Sequence, residues 1–363
     1  MKLGLFSMPV HRPDKPWLQA LREDQEQIVL ADGLGFAEAW IGEHFSTAVE
    51  QIPSPMMFLA TLIERTKQIR LGTGVVNLPY HHPVIFAAEA ALFDQLSEGR
   101  LMLGIGPGGL PSDAEMFGHP DMGERVKQMV RSIESVIALW KGEPPVGLDV
   151  AGHRANLVDN IWRRHGVGSM CRPYQKPHPP LAMAVSGRNS GTAEAIGARG
   201  WIPISANFAP IEDVATHWTR YATGADSAGI AVDRSRWRVA RSMLVTESDA
   251  QAEDILADPD GVFAFYFRYL RGLRRIEELR PHQEAAPEVL NEILGVNDDV
   301  RELVIAGSAK TVTEKLVDAW DRTGGFGTLL LAAHDWEDPE LCRASIRRLA
   351  AEVLPAVRRH SGT

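Results

Sequence analysis

Eight short apolar runs alternate with helical patterns or long loops along this chain, and that alternation restricts the fold more than any single motif does. The runs are Leu3 to Met8, Phe36 to Ile41, Ile69 to Leu78, Leu101 to Ile105, Leu181 to Val185, Trp201 to Ile204, Trp237 to Val245 and Thr328 to Leu331. Strands this apolar are buried on both faces, so helices must cover them, and strand–helix alternation joins them in parallel. Eight such units predict an α/β fold of the (β/α)8 TIM-barrel type rather than an open doubly wound sheet. The helical patterns are explicit. Leu18, Leu21, Ile28 and Val29 run up to Gly33-Leu34-Gly35, and Val84, Ala87, Ala88, Ala91 and Leu92 form a second apolar face. Val126, Met129, Val130, Ile133, Ile137 and Trp140 form a third stripe, closed by Gly142, and a further helix follows Thr192. Thr311 with Glu314 reads as a capping box. Two gaps, Glu143 to Pro180 and Glu247 to Ser308, exceed a simple crossover. They read as insertions after strands four and seven, the second carrying an aromatic stretch from Phe263 to Tyr269. One domain over residues 1–363 is expected.

Composition narrows the partners. A net charge of −9 without any basic run argues against nucleic acid. No stretch of about 18 apolar residues is present to span a bilayer, and the opening MKLGLFSMPVHRP lacks the apolar core of a signal peptide. With only two cysteines, Cys171 and Cys342, and neither in metal-ligand spacing, a reducing, cytoplasmic setting is expected.

In such a barrel the active site lies at the C-terminal ends of the strands. The residues there are Met8, Pro9 and His11; Glu43 and His44; Asn77, Tyr80, His81 and His82; Gly106 to Gly109; and Ser186 to Thr192. Gly104 to Gly109 satisfies GxGxxG, but a dinucleotide turn needs a helix at once. Leu110-Pro111-Ser112-Asp113 and Gly118-His119-Pro120 are expected to break one, so these glycines are read as close approaches of backbone to a flat ligand. Ser186, Gly187, Arg188, Asn189, Ser190, Gly191 and Thr192 link a strand to a helix and offer amides, hydroxyls and a guanidinium to one phosphomonoester. An ordinary capping loop with a solvated arginine would use the same residue types. His44, after Gly42-Glu43, is placed to donate to or accept from a ligand and to change charge near neutral pH, and a structural loop histidine would occupy the same kind of position. Of His81 and His82, which precede Pro83, at least one is expected to shape a helix entry. No HExxH or GxSxG is present, so neither a catalytic metal nor a serine nucleophile is expected.

Several segments together resemble the bacterial-luciferase-like FMN-dependent monooxygenases, of the limonene and diketocamphane monooxygenase type. They are LGLFSMPVHRP, LGFAEAWIGEHF (34–45), RTKQIRLGTGVVNLPYHHP (65–83), DQLSEGRLMLGIGPG (94–108), RPYQKPHPPL (172–181) and SGRNSGT (186–192). The resemblance implies a barrel that binds reduced FMN, supplied in trans by a separate NAD(P)H:flavin reductase. It implies His44 as the active-site histidine, a non-prolyl cis bond at Gly74-Val75 beside the flavin, and Arg188 to Thr192 as the phosphate loop, with Met8, Asn77, Gly106, Ser186 and Gly187 completing the cofactor site. Pro107 departs from luciferase, which has an arginine there. The implied chemistry is reaction of reduced FMN with O2 to a flavin peroxide, steadied by His44, which oxygenates a small, largely apolar organic substrate. A ketone would give an ester or lactone by Baeyer–Villiger oxidation, and an alkene or activated carbon would give epoxidation or hydroxylation. Analogy also implies a homodimer through outer helices. Two alternatives remain open: a deazaflavin-dependent hydride-transfer enzyme, and a non-catalytic flavin-binding protein.

Overall fold

The computed structural model describes the chain except residues 9, 142–147, 151–152, 156, 158, 283 and 363. The expected roles of Pro9, Gly142 and Glu143 therefore lie outside the described residues. The strands are β1 (Lys2–Ser7), β2 (Glu38–Ile41), β3 (Arg70–Asn77), β4 (Leu101–Gly106), β5 (Leu148–Val150), β6 (His153–Ala155), β7 (Leu181–Val185), β8 (Ile202–Ser205), β9 (Arg238–Val245), β10 (Val304–Gly307) and β11 (Thr328–Ala332). Eight of them close a parallel barrel in the order β1-β2-β3-β4-β7-β8-β9-β11, with Leu3 of β1 beside Leu329 of β11. Strands β5 and β6 form a separate antiparallel hairpin in the first insertion.

Side-chain volume fixes the barrel interior. Phe6, Trp40, Met102, Ala182, Ile202, Ile204, Ala240 and Leu330 pack into one buried cluster. Trp40 is the largest of them, and it is accommodated because Gly72 has no side chain: a Cβ there would lie 2.5 Å from Trp40 Cε3. At the base, Arg238 donates to both carboxylate oxygens of Glu38, each at 2.9 Å, and Glu38 also accepts from Trp40 Nε1. A buried pair needs such extra bonds to offset its lost hydration. A second cluster between strands and helices includes Ile28, Phe36, Leu59, Phe86, Ile133, Trp218, Trp237 and Leu329. Each such side chain contributes about 1.5–3 kcal/mol through its removal from water.

Four expectations need correction. The stretch from Glu247 to Ser308 is not all insertion, since Val304 of β10 pairs with Ser242, which Ala332 of β11 also pairs. The four-residue run is too short to stand out beside the helix Val296–Leu303. The last inter-strand helix, Ala309–Thr323, is capped by Ser308, whose hydroxyl accepts from Thr311 N, so Thr311 with Glu314 is not its capping box. Thr311 Oγ1 donates instead to Asp249. On the outer helices Leu92 and Val126 are exposed, while Phe86 and Ala90 of Pro83–Leu96 and Val136 of Met122–Lys141 take the buried positions. Finally, a short helix does follow the glycine run: Pro111 sits at the N1 position of Pro111–Met116, where a missing N–H costs nothing. It ends at Phe117 and so leaves only about one and a half turns.

Candidate active site

A cavity of about 540 Å³ opens at the C-terminal ends of the barrel strands. Apolar side chains supply most of its wall: Phe6, Met8, Val75, Ile204 and Ala240 from the barrel, and Leu270 and Leu273 from above. Leu270 and Leu273 belong to the helix Val262–Leu273, which is the aromatic stretch of the second insertion. That helix is docked by its own buried face. Tyr266 hydroxyl and Asn207 Nδ2 lie 2.9 Å apart, and Asn207 Nδ2 also donates to Ser242 Oγ at 3.0 Å. His334 Nε2 reaches the same Ser242 hydroxyl at 3.0 Å, and complete burial pulls the pKa of this imidazole down to about 3.

His44 stands on the cavity wall, 15% exposed, between two carboxylates. Its Nδ1 is hydrogen-bonded to Asp113 Oδ2 at 3.3 Å, and its Nε2 is 3.4 Å from Glu50 Oε2. Burial alone would pull this imidazole down, but Glu50, Asp113 and Glu43 outweigh it, and its pKa is raised above the ordinary value. The carboxylates therefore favour the protonated form of His44 over the neutral ring. Asp113 is the complement. Burial pushes its carboxyl up, while bonds from His44, Ser46 and the Phe45 amide more than reverse that and hold it low. Glu50 Oε2 also accepts from Tyr269 hydroxyl at 2.7 Å, and Glu50 Oε1 is buried without a partner. Burial, with Glu50 beside it, pushes the Tyr269 phenol up, so it stays a donor.

Bare backbone forms the adjoining wall. The Gly74–Val75 bond is cis and non-prolyl, as the resemblance implies, and β3 slips register between Thr73 and Val76. A Cβ on Gly42 would lie in ordinary contact with Met8 Cγ at 3.5 Å and Gly74 O at 3.6 Å, whereas one on Gly74 would lie 2.8 Å from Trp40 Cβ, so Gly74 lacks a side chain to make room for Trp40. Asn77 is fixed behind this wall, its N–H donating to Glu43 Oε2 at 2.7 Å and its amide to Glu43 O at 3.0 Å. Gly106 lies behind Val75 rather than on the wall: a Cβ there would be 2.5 Å from Val75 Cγ2. Ser186 lines the rim, and Gly187 to Thr192 run on from it. Asn189 takes φ 50°, its N–H donates to Thr216 Oγ1 at 2.9 Å, and Ser190 caps the helix Gly191–Gly197 through Thr192 N. Arg188 is 68% exposed and 3.9 Å from Asp213, so its guanidinium is free to turn.

The remaining candidates do other work. His11 lies away from the cavity wall, buried between Asp24 at 3.2 Å and Asp335 at 3.3 Å. His82 Nδ1 accepts from Val84 N and caps the helix that Pro83 begins, as expected, while His81 pairs with Glu43 at 2.9 Å. Tyr80 stacks on Phe117 with centroids 4.5 Å apart. Sequence reading missed Glu50, Asp113, Asn207 and Tyr269. Only Asp113 carried a local signal, the Pro-Ser-Asp that starts a helix.

The fold and the site together define a closed parallel α/β barrel with an apolar cavity at its strand C-termini and a histidine held there between carboxylates. Residues 1–325 match the family described as luciferase-like monooxygenase, and the chain belongs to that family. It is 32% identical over 360 residues to 4-hydroxyprotoasukamycin monooxygenase of Streptomyces nodosus subsp. asukaensis, covering 98% of this chain and 92% of that protein. It is 32% identical over 353 residues to limonene 1,2-monooxygenase of Rhodococcus erythropolis, covering 97% and 85%. Among solved structures it matches the oxygenating constituent of 3,6-diketocamphane monooxygenase from Pseudomonas putida, a type II Baeyer–Villiger monooxygenase in complex with FMN. That match has a TM-score of 0.82 and 26% identity, and covers 98% of each chain. The chain is accordingly an enzyme of the oxidoreductase class.

Proposed function

We propose that this protein is the oxygenase component of a two-component system that uses reduced FMN and O2 to insert one oxygen atom into a small, largely apolar organic molecule. The observation that carries this reading is a histidine with a raised pKa, His44, held between carboxylates on the wall of an apolar cavity that Gly42 and Gly74–Val75 also line. The residues fit the cofactor. Gly42 and Gly74 offer backbone on the cavity wall to an isoalloxazine edge, and Met8, Val75 and Asn77 would hold the ring. Ser186 to Thr192 would hold the phosphate through their hydroxyls and through the loop amides from which Thr216 and Ser190 do not already accept, with Arg188 turning inward. Pro107 offers no charge to that phosphate, so the loop and Arg188 bear it alone.

Bound FMN, once reduced, supplies the two electrons that activate dioxygen. One oxygen atom enters the substrate and the other leaves as water, which requires a proton at the departing oxygen. His44, whose pKa is raised by Glu50 and Asp113 against the effect of burial, would supply that proton from Nε2, the nitrogen that faces Glu50 without a hydrogen bond, while Asp113 fixes Nδ1 and the ring plane. Leu270 and Leu273 close the cavity from above and exclude water, which strengthens every charge–dipole interaction inside. The same apolar walls select an apolar substrate. Ketone and alkene both fit them, and the diketocamphane and limonene relatives support one each. Supply of reduced FMN by a separate NAD(P)H:flavin reductase follows from the relative's being an oxygenating constituent. We take residues 1–363 to act as one domain, because the insertion helix completes the barrel's cavity. The exposed Ile85, Leu92 and Leu96 on one outer helix support a homodimer. Among the described residues no helix is long and apolar enough to cross a membrane.

The test supplies the purified chain with FMN, NADH and a flavin reductase under 18O-labelled dioxygen, with limonene and 3,6-diketocamphane as probes. One labelled oxygen atom per product molecule is expected from at least one probe. Failure to bind reduced FMN overturns the reading.

A further inference from the structure

Arg241 occupies an unusual place for a guanidinium. It lies on β9 between Ala240, which lines the central cavity, and Ser242, which bonds to Asn207. Strand alternation therefore aims Arg241 the other way, into the outer layer. It is 4% exposed, and among the described residues no carboxylate pairs with it. Its three hydrogen bonds all leave one nitrogen, Nη1, to Ala206 O, Ala209 O and Ala240 O at 3.1–3.3 Å. The other terminal nitrogen, Nη2, is buried without a partner. Burial alone does not force this arrangement. Arg125 is equally buried, and its Nε, Nη1 and Nη2 all reach backbone carbonyls. Burial pulls the Arg241 pKa down to about 10, so the group remains charged at neutral pH. A buried charge with no counter-charge is costly unless something pairs with it.

Arg241 lines a cavity of about 410 Å³ on the outer wall of the barrel, between β10 and the helix Ala309–Thr323. Arg301, Lys315 and Arg322 share that cavity with Glu302, Glu314 and Asp318. Asp318 is held by Arg322 at 3.3 Å and Glu314 faces Lys310 at 3.9 Å. Lys315 donates to Ala306 O at 3.0 Å. That leaves Arg241 and Arg301 as guanidiniums without an ion pair among the described residues. Guanidinium forks match phosphate and carboxylate oxygens better than any other cation does.

We propose that this outer cleft is a second binding site, independent of the oxygenation chemistry, which takes a phosphate group with Arg241 at its base and Arg301 at its mouth. The phosphate comes either as the inorganic ion or as the ester of a small metabolite.

Calorimetric titration of the full chain, saturated with FMN so that the Ser186 to Thr192 loop is engaged, separates these sources and tests the site. Sodium phosphate and ribose 5-phosphate are the probes, at constant ionic strength in chloride. One saturable phosphate site is expected, retained in Ser190→Ala and weakened at least about tenfold in Arg241→Gln, equivalent to about 1.4 kcal/mol. Arg301→Gln, whose side chain holds no structural bond among the described residues, is expected to weaken it severalfold while leaving the melting temperature in chloride unchanged. Tighter binding of ribose 5-phosphate than of phosphate identifies an ester as the natural ligand, and the reverse identifies the ion. If Arg241→Gln does not fold, Arg301→Gln decides alone. The proposal is overturned if no saturable binding exceeds that of chloride, if both arginine variants bind as wild type does, or if binding disappears only in Ser190→Ala.

Discussion

Replacing Asp113 by asparagine removes a charge from beside His44 while keeping an oxygen in the same place. Asp113 accepts from His44 Nδ1 at 3.3 Å and from Phe45 N at 3.1 Å. The carboxamide of the Asp113→Asn variant retains one acceptor oxygen for these donors, so the fold is expected to survive. A hydrogen bond to a charged group contributes about 1.5–3 kcal/mol, against about 0.5–1.5 for a neutral pair. The variant therefore loses about 1–2 kcal/mol of support for the imidazolium, or about five- to thirtyfold in rate once that support limits turnover. The direction in pH follows from the sign. Burial pulls His44 down, Glu50 and Asp113 pull it up more, and the folded pKa is raised, so the competent protonated form is lost as pH rises through it. Without the Asp113 charge that loss begins at lower pH. The assay is the pH profile of product formation with the reductase in excess, alongside hydrogen peroxide release as the measure of uncoupled turnover. The alkaline limb should move to lower pH and the peroxide fraction should rise. An alkaline limb in the same place, with product rate unchanged, would refute the role given to the His44–Asp113 pair.

Three further outcomes follow from the same geometry. Gly106→Ala drives a methyl to within 2.5 Å of Val75 Cγ2, so it should cost about 1–3 kcal/mol in chemical denaturation and weaken FMN binding by displacing the Gly74–Val75 wall. Ser190→Ala removes the cap on Thr192 N, and should lower affinity for FMN while leaving riboflavin, which lacks the phosphate, nearly unaffected in fluorescence titration. For His11 the effect of burial is outweighed by Asp24 and Asp335, and its pKa is raised from 6.5 to about 9. A raised pKa contributes stability that is complete below about 6.5 and is lost as pH rises through about 9, so at most about 3 kcal/mol should disappear across that window. His11→Gln should flatten the dependence of denaturation midpoint on pH, and an unchanged slope would show that His11 is not charged in the folded state.

The barrel is legible in the sequence because each of its strands is a run of apolar residues bounded by a turn, and that periodicity survives without tertiary context. Val304–Gly307 escapes because its neighbours on both sides are helical and its pairing to Ser242 is set only in three dimensions. Of the site, His44, Met8 and Asn77 can be placed from their positions after strands, and Gly74–Val75 through resemblance. Glu50 cannot, since it sits in an irregular loop and acquires meaning only when Tyr269, 219 residues away, donates to it. Asp113 is hard to read for a different physical reason. Pro111 both prevents a long helix and favours the first turn of a short one, and the second effect is the one that carries Asp113 to His44. His11 is a candidate by position and proves to be a buried tie between Asp24 and Asp335, because strand C-termini also carry the residues that fix their loops.

The most direct test of the central claim is an oxygen-free titration of the protein with photoreduced FMN, followed by equilibrium dialysis. One equivalent bound per chain is predicted, with reduced riboflavin binding about tenfold or more weakly because the Ser186 to Thr192 loop then has no phosphate to hold. No binding of reduced FMN, or equal affinity for the two flavins, would contradict the site as described.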